Sequence, residues 1–157
     1  MGNELARVIG EVLKFREETI AVAESITAGN LQAAFSSNSG SSDYFEGGIT
    51  AYSLRQKVEL LGVDEEEARA VNCVSQNVAR EMAKAVSVKF GTDYGIGTAG
   101  YAESLGDVEF PYAYYAVSAN GAVIKSGRVD GTGLNREAVQ MKVCNVALRS
   151  LADYLEI

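Results

Sequence analysis

The 157-residue sequence contains no histidine, and that absence removes more chemistry than any other feature. Serine–histidine and cysteine–histidine nucleophile pairs cannot be built, nor can histidine-ligated metal centres. Any catalysis must run on serine, tyrosine, lysine, arginine or carboxylates. Cysteine is nearly as scarce. Cys73 and Cys144 are too few and too far apart for a metal site or a disulfide framework, which points to a reduced, cytoplasmic setting. Positive charge is in deficit, with 14 lysines and arginines against 21 aspartates and glutamates, a net charge of −7. Such a surface does not suit nucleic acid or an anionic membrane, where phosphate neutralisation dominates affinity. A basic pocket inside an acidic protein is still compatible with it. Long apolar runs are also missing, and none approaches the roughly 20 residues that cross a bilayer. The N-terminal stretch reads as an amphipathic helix with acidic residues, not as a signal peptide.

What is present suits one globular domain over residues 1–157. A hydrophobic content of 47% in a chain of this length is enough to bury a sizeable core. Leu5, Val8, Ile9, Val12 and Leu13 share a helical stripe. "TIAVA" (residues 19–23) is a short buried strand, and Leu31, Ala34 and Phe35 mark one face of the next helix. Residues 36–44 are loop by composition. "GGITAYS" (residues 47–53) returns as a strand, and Ser53 with Gln56 opens a helix that stops at Gly62. Asp64 with Glu67 caps a short helix; Ser75 opens a long one, closed by Gly91. "YGIGT" (residues 94–98) is a further strand. Asn120-Gly121 joins two apolar strands in a hairpin through a type I′ turn. Residues 134–155 form the terminal helix. Strands and helices mix throughout, so the expected fold is a three-layer α/β/α domain with a mixed sheet.

Ligands in such sheets bind where strands end and helices begin. Ser25, Tyr52 and the segment after Thr98 fall at such ends. A serine hydroxyl is a weak nucleophile until a base takes its proton. Without histidine, a lysine serves if burial lowers its pKa, and Lys57 lies one turn into the helix that Ser53 opens. Tyr52 is placed to relay the proton or to hydrogen-bond a developing oxyanion. From spacing alone, Ser25 is either a helix cap or a nucleophile. Gly/Ser turns at helix starts offer backbone amides to phosphates, and residues 27–30 and 40–48 have that composition.

Three segments, "AESITAGN", "SGSSDYFEGGITAYSLRQKVELLGV" and "VSQNVAREMAKAV", together resemble the C-terminal domain of the competence/damage-inducible CinA family. Typical family forms are A-E-S-C-T-G-G, then G-S-S-x-Y-F-x-G-G with Y-S-N-x-x-K-x-x-L-L-G-V, then V-S-E-x-V-A-x-x-M-A. The match runs in order from about Glu4 to Tyr94 and more loosely to the end. The resemblance implies hydrolysis of nicotinamide mononucleotide to nicotinic acid mononucleotide and ammonia, with no cofactor and no required metal. It implies Ser25 as nucleophile, Lys57 as proton acceptor and Tyr52 as an assisting group. Thr27, Gly29, Gly40, Ser41, Ser42, Tyr44, Gly100 and Arg136 become candidate contacts to the small-molecule nucleotide and its phosphate. It also implies a homo-oligomer, a dimer in the first instance, with the apolar hairpin or the terminal helix as the surface.

The sequence departs from the family pattern at Ile26, Ala28 and Leu54, and most heavily over residues 99–114. There the family has T-G-I-A-G-P, a Gly-rich turn and K-P-V-G-T. Glu103 replaces a glycine and Phe110 a lysine. If those positions face the ligand, the exchanges disfavour an anion twice over, and Tyr101, Phe110 and Tyr114 add bulk. Two expectations follow: an active amidohydrolase, or a paralogue that keeps the fold with an altered ligand or no catalysis.

Overall fold

The computed structural model describes residues 3–157. Helix α1 (Glu4–Arg16) starts at Asn3, whose side chain accepts from the Ala6 amide. Strand β1 (Ile20–Glu24) follows, then α2 (Asn30–Ser36), a 3-10 turn at Ser41–Asp43 and strand β2 (Phe45–Thr50). Three helices come next, α3 (Leu54–Leu61), α4 (Glu65–Ala70) and α5 (Gln76–Phe90). Strands β3 (Tyr94–Tyr101), β4 (Tyr112–Ala119) and β5 (Ala122–Asp130) complete the sheet, and α6 (Arg136–Leu155) closes the chain. The five strands lie in the order β2-β1-β3-β4-β5. β1 runs parallel to both of its neighbours, whereas β4 and β5 are antiparallel additions.

Period-two alternation builds the layers. Ile20 and Val22 of β1 and Tyr94 and Ile96 of β3 face α1, α2 and α6, where Leu13, Phe35 and Leu148 fill the larger core. Ala21, Ala23 and Ala99 face the other way, against α3, α4 and Val78, Met82 and Val86 of α5. That second face is made of small residues because α5 sits very close. A Cβ on Gly97 would lie 2.3 Å from the Ala79 carbonyl oxygen, and one on Gly95 would lie 2.1 Å from that of Ala83. The expected three-layer α/β/α fold is the observed one.

Segment boundaries differ from the sequence reading in instructive ways. β2 ends at Thr50, short of Ser53, although the Ala51 amide still bonds the Glu24 carbonyl at 2.9 Å. β3 extends to Tyr101 because it pairs with β4 as far as Tyr112. The terminal helix starts at Arg136, not residue 134, because the Asn135 side chain accepts from the Ala138 amide. At the hairpin, Asn120 and Gly121 have φ of 50° and 84°, the paired left-handed geometry of a type I′ turn.

After β1 the chain turns to the α2 face; after β2 it turns to the α3 face. A crevice therefore opens beyond the carboxyl ends of β1 and β2, the switch point at which open α/β sheets bind ligands.

Candidate active site

Ser25 directly follows β1, and its amide is held by the Thr98 hydroxyl of β3 at 3.3 Å. Thr98 also shares a 2.9 Å hydrogen bond with the hydroxyl of Thr27. The turn is thus pinned from below by two buried threonines. Lys57 reaches it from α3. Ser53 caps that helix by accepting from the Gln56 amide, and Gly62 ends it in the left-handed region at φ 64°. Helical side chains lean toward the helix N-terminus, so the Lys57 chain runs back to the strand ends. Its Nζ donates to Ser25 Oγ at 2.9 Å.

The pair is nearly dry, with Ser25 8% and Lys57 2% exposed. Burial lowers the Lys57 pKa from its ordinary value, against a smaller opposing influence from the nearby Cys73. A neutral amine beside a serine hydroxyl is what proton abstraction requires.

Both groups open into a cavity of about 190 Å³. Its far wall is the α4–α5 loop, where Asn72 and Cys73 adopt left-handed backbone at φ 49° and 62°. Asn72 Nδ2 donates to the Tyr101 hydroxyl at 3.1 Å, and the edge of the Tyr101 ring meets Tyr112 at a centroid distance of 5.5 Å. At the mouth, Arg136 donates to the Tyr52 hydroxyl at 2.7 Å and to Glu103 Oε1 at 2.9 Å.

The cavity therefore gathers Ser25, Tyr52, Lys57, Gly100 and Arg136 from the sequence-derived candidates. The other six do not line it. Thr27 is fully buried behind the turn, bonded to Thr98. Gly29 begins α2, whose Leu31 and Gln32 amides are already taken by the Glu24 carboxylate at 2.7 and 3.0 Å. The anion site expected there is filled by the protein's own side chain. Gly40, Ser41, Ser42 and Tyr44 lie before β2, whereas Ser25 lies after β1. The two strands are parallel, so these residues sit at the opposite end of the sheet, roughly 15 Å away along a five-residue strand. Tyr44 is buried there, its hydroxyl donating to the Phe35 carbonyl at 3.3 Å.

Of the bulky residues expected to fill ligand space, Tyr101 lines the cavity; Phe110 is half exposed outside it, and Tyr114 packs beside Ala79 and Ala83 under α5. Residues missed by sequence reasoning are Thr98, Asn72 and Cys73, together with the capping role of Glu24. Thr98 was the most accessible of these, as a lone hydroxyl ending an apolar strand.

Fold and cavity together define an α/β protein in which a serine hydroxyl and a buried lysine amine meet at the carboxyl ends of parallel strands. The chain belongs to the CinA C-terminal domain family, whose sequence model matches residues 2–155. A CinA-like protein of Picosynechococcus sp. is 47% identical over 106 residues, 68% of this chain and 25% of that protein. One from Synechocystis sp. is 46% identical over 107 residues, 68% of this chain and 26% of that protein. The matched region thus spans about a quarter of the length of these relatives. The crystal structure of competence damage-inducible protein A (ComA) from Klebsiella pneumoniae superposes with a TM-score of 0.90 at 27% identity, covering 98% of this chain and 96% of that one. The competence/damage inducible protein CihA from Agrobacterium tumefaciens gives 0.89 at 26% identity, with 96% and 93% covered.

Proposed function

We propose that the domain is a serine amidohydrolase for a nicotinamide-type carboxamide, nicotinamide mononucleotide being the substrate that the family resemblance implies. The observation that carries this reading is the 2.9 Å contact between the buried Lys57 amine and the Ser25 hydroxyl. Neutral Lys57 takes the hydroxyl proton as Ser25 Oγ bonds to the amide carbon. The proton passes to the departing nitrogen, which leaves as ammonia, and an ester to Ser25 remains. Water then attacks the ester carbon, giving its proton to Lys57, which returns it to Ser25 Oγ as the carboxylic acid departs. Tyr52 accepts from Arg136 and keeps its own O–H free to donate toward a substrate in the mouth.

Purified protein incubated with nicotinamide mononucleotide is expected to release ammonia, with Ser25→Ala lowering the rate at least ~10³-fold. Absence of ammonia at high enzyme concentration rejects the reading. An altered ligand is the second reading, favoured by one observation: Glu103 faces Arg136 across the mouth. Assembly as a homodimer is proposed on the resemblance alone, and a sedimentation measurement tests it.

A further inference from the structure

Three side chains from three separate elements meet over the cavity mouth. Tyr52 comes from the β2–α3 connection, Arg136 from the first residue of α6, and Glu103 from the loop after β3. Arg136 bridges the other two through its terminal nitrogens. Among the described residues lining the cavity, Lys57, Arg136 and Glu103 are the ones that carry charge. Lys57 is held toward its neutral form by burial, and it donates inward to Ser25, away from the mouth. The charge left at the mouth is one guanidinium and one carboxylate, which cancel. A phosphate monoester entering there meets an arginine whose charge is already opposed 2.9 Å away, on a chain of net charge −7.

We propose that Glu103 is a specificity-determining residue, which turns the site toward amides whose remainder is uncharged or cationic and away from those ending in a phosphate. The inference rests on the amidohydrolase reading of the same cavity and moves its preferred substrate from the mononucleotide to amides that carry no phosphate. Both members of the pair are solvent-exposed, at 47% and 64%, and exposed pairs separate readily. The selection therefore works through the positive charge that Glu103 cancels at the rim and not through a rigid barrier. A second consequence concerns size. A cavity of about 190 Å³ is smaller than the roughly 300 Å³ at which drug-sized ligand pockets begin. A single aromatic carboxamide is of that scale, and Glu103 and Arg136 line the same cavity.

The test uses two probes that share the reacting amide, nicotinamide riboside and its 5′-phosphate, nicotinamide mononucleotide. Their kcat/KM ratio is measured at low ionic strength, where rim charges act most strongly. Wild-type protein is expected to use the riboside at least as well as the mononucleotide. Glu103→Gln is expected to shift the ratio about tenfold toward the mononucleotide; Glu103→Asp is expected to hold the wild-type ratio. Adding Arg136→Gln to Glu103→Gln is expected to cancel the gain. A wild-type preference of tenfold or more for the mononucleotide overturns the proposal, as does a Glu103→Gln variant with an unchanged ratio. Calorimetric binding of both probes to Ser25→Ala protein, with and without Glu103→Gln, reads the same ratio without chemistry. If no variant releases ammonia, the hydrolytic reading falls and this binding ratio still decides the rim. Binding of neither probe overturns it.

Discussion

Replacing Lys57 with methionine separates what the residue does for the reaction from what it does to the fold. The lysine is 2% exposed and donates one hydrogen bond, to a neutral hydroxyl. Desolvating an ammonium costs several kcal/mol in a real protein, which is why the Lys57 pKa is lowered. Methionine fills nearly the same volume without that cost. The variant loses the bond to Ser25, worth about 1 kcal/mol, but Ser25 faces the cavity, where water replaces the lost donor. The balance is a gain of about 1 kcal/mol, which for a domain of this size raises Tm by about 2–4 °C.

The sign of the pH dependence follows from the direction of the shift. With the folded pKa below the unfolded one, the unfolded chain binds more protons between the two values. Wild-type stability therefore rises with pH through that window. The advantage of Lys57→Met is largest below the folded pKa and shrinks as pH climbs toward the unfolded value near ~10.4. Thermal melts from pH 6 to pH 10 measure this, alongside ammonia release, which should fall by ~10²–10⁴-fold. A variant that melts below wild type at pH 6, or a Tm difference that ignores pH, refutes the reasoning about the buried amine. Near-normal turnover refutes its role as base.

Glu24→Gln is expected to cost about 2 kcal/mol, because the carboxylate accepts from two α2 amides and the Gln32 side chain; urea unfolding measures it, and an unchanged midpoint contradicts the capping role. Gly97→Ala is expected to cost about 3 kcal/mol, since its Cβ would meet α5 backbone at 2.3 and 2.6 Å; a variant as stable as wild type in the same assay would show that α5 shifts freely. A thiol reagent should label Cys73, which lines the cavity, and spare Cys144, which is fully buried with its thiol pushed up to about 12. Mass spectrometry locates the adduct, and full activity of the Cys73-labelled protein contradicts the placement of that loop beside the reacting groups.

The helices were legible from their caps. Ser53, Asp64 and Ser75 each accept from the backbone amide three residues on, a local interaction that sequence spacing encodes. The ends of β2 and β3 were less so, because a strand stops where its neighbour stops pairing, and pairing is not local. The same division runs through the site. Spacing placed Ser25 and Tyr52 at strand ends and Lys57 one turn into a helix, and the family resemblance gave the three their roles. Residues 40–44 were grouped with them on turn composition, which does not say at which end of the sheet a turn lies. Parallel pairing of β1 and β2 decides that. The α2 start has the composition of an anion cradle, and the side chain that fills it, Glu24, belongs to the preceding strand. Thr98 escaped notice because its partners, Ser25 and Thr27, are more than 70 positions away in the chain.

Ser25 follows a parallel strand and Lys57 sits on α3, both nearly out of reach of water. Glu103 and Arg136 belong to an outer turn and a helix's first residue, both open to water. On the proposed reading, the reacting pair and the rim that meets a guest thus lie on separate pieces of chain. Under that proposal, edits to a few water-facing positions change the guest while the dry pair beneath stays as it is.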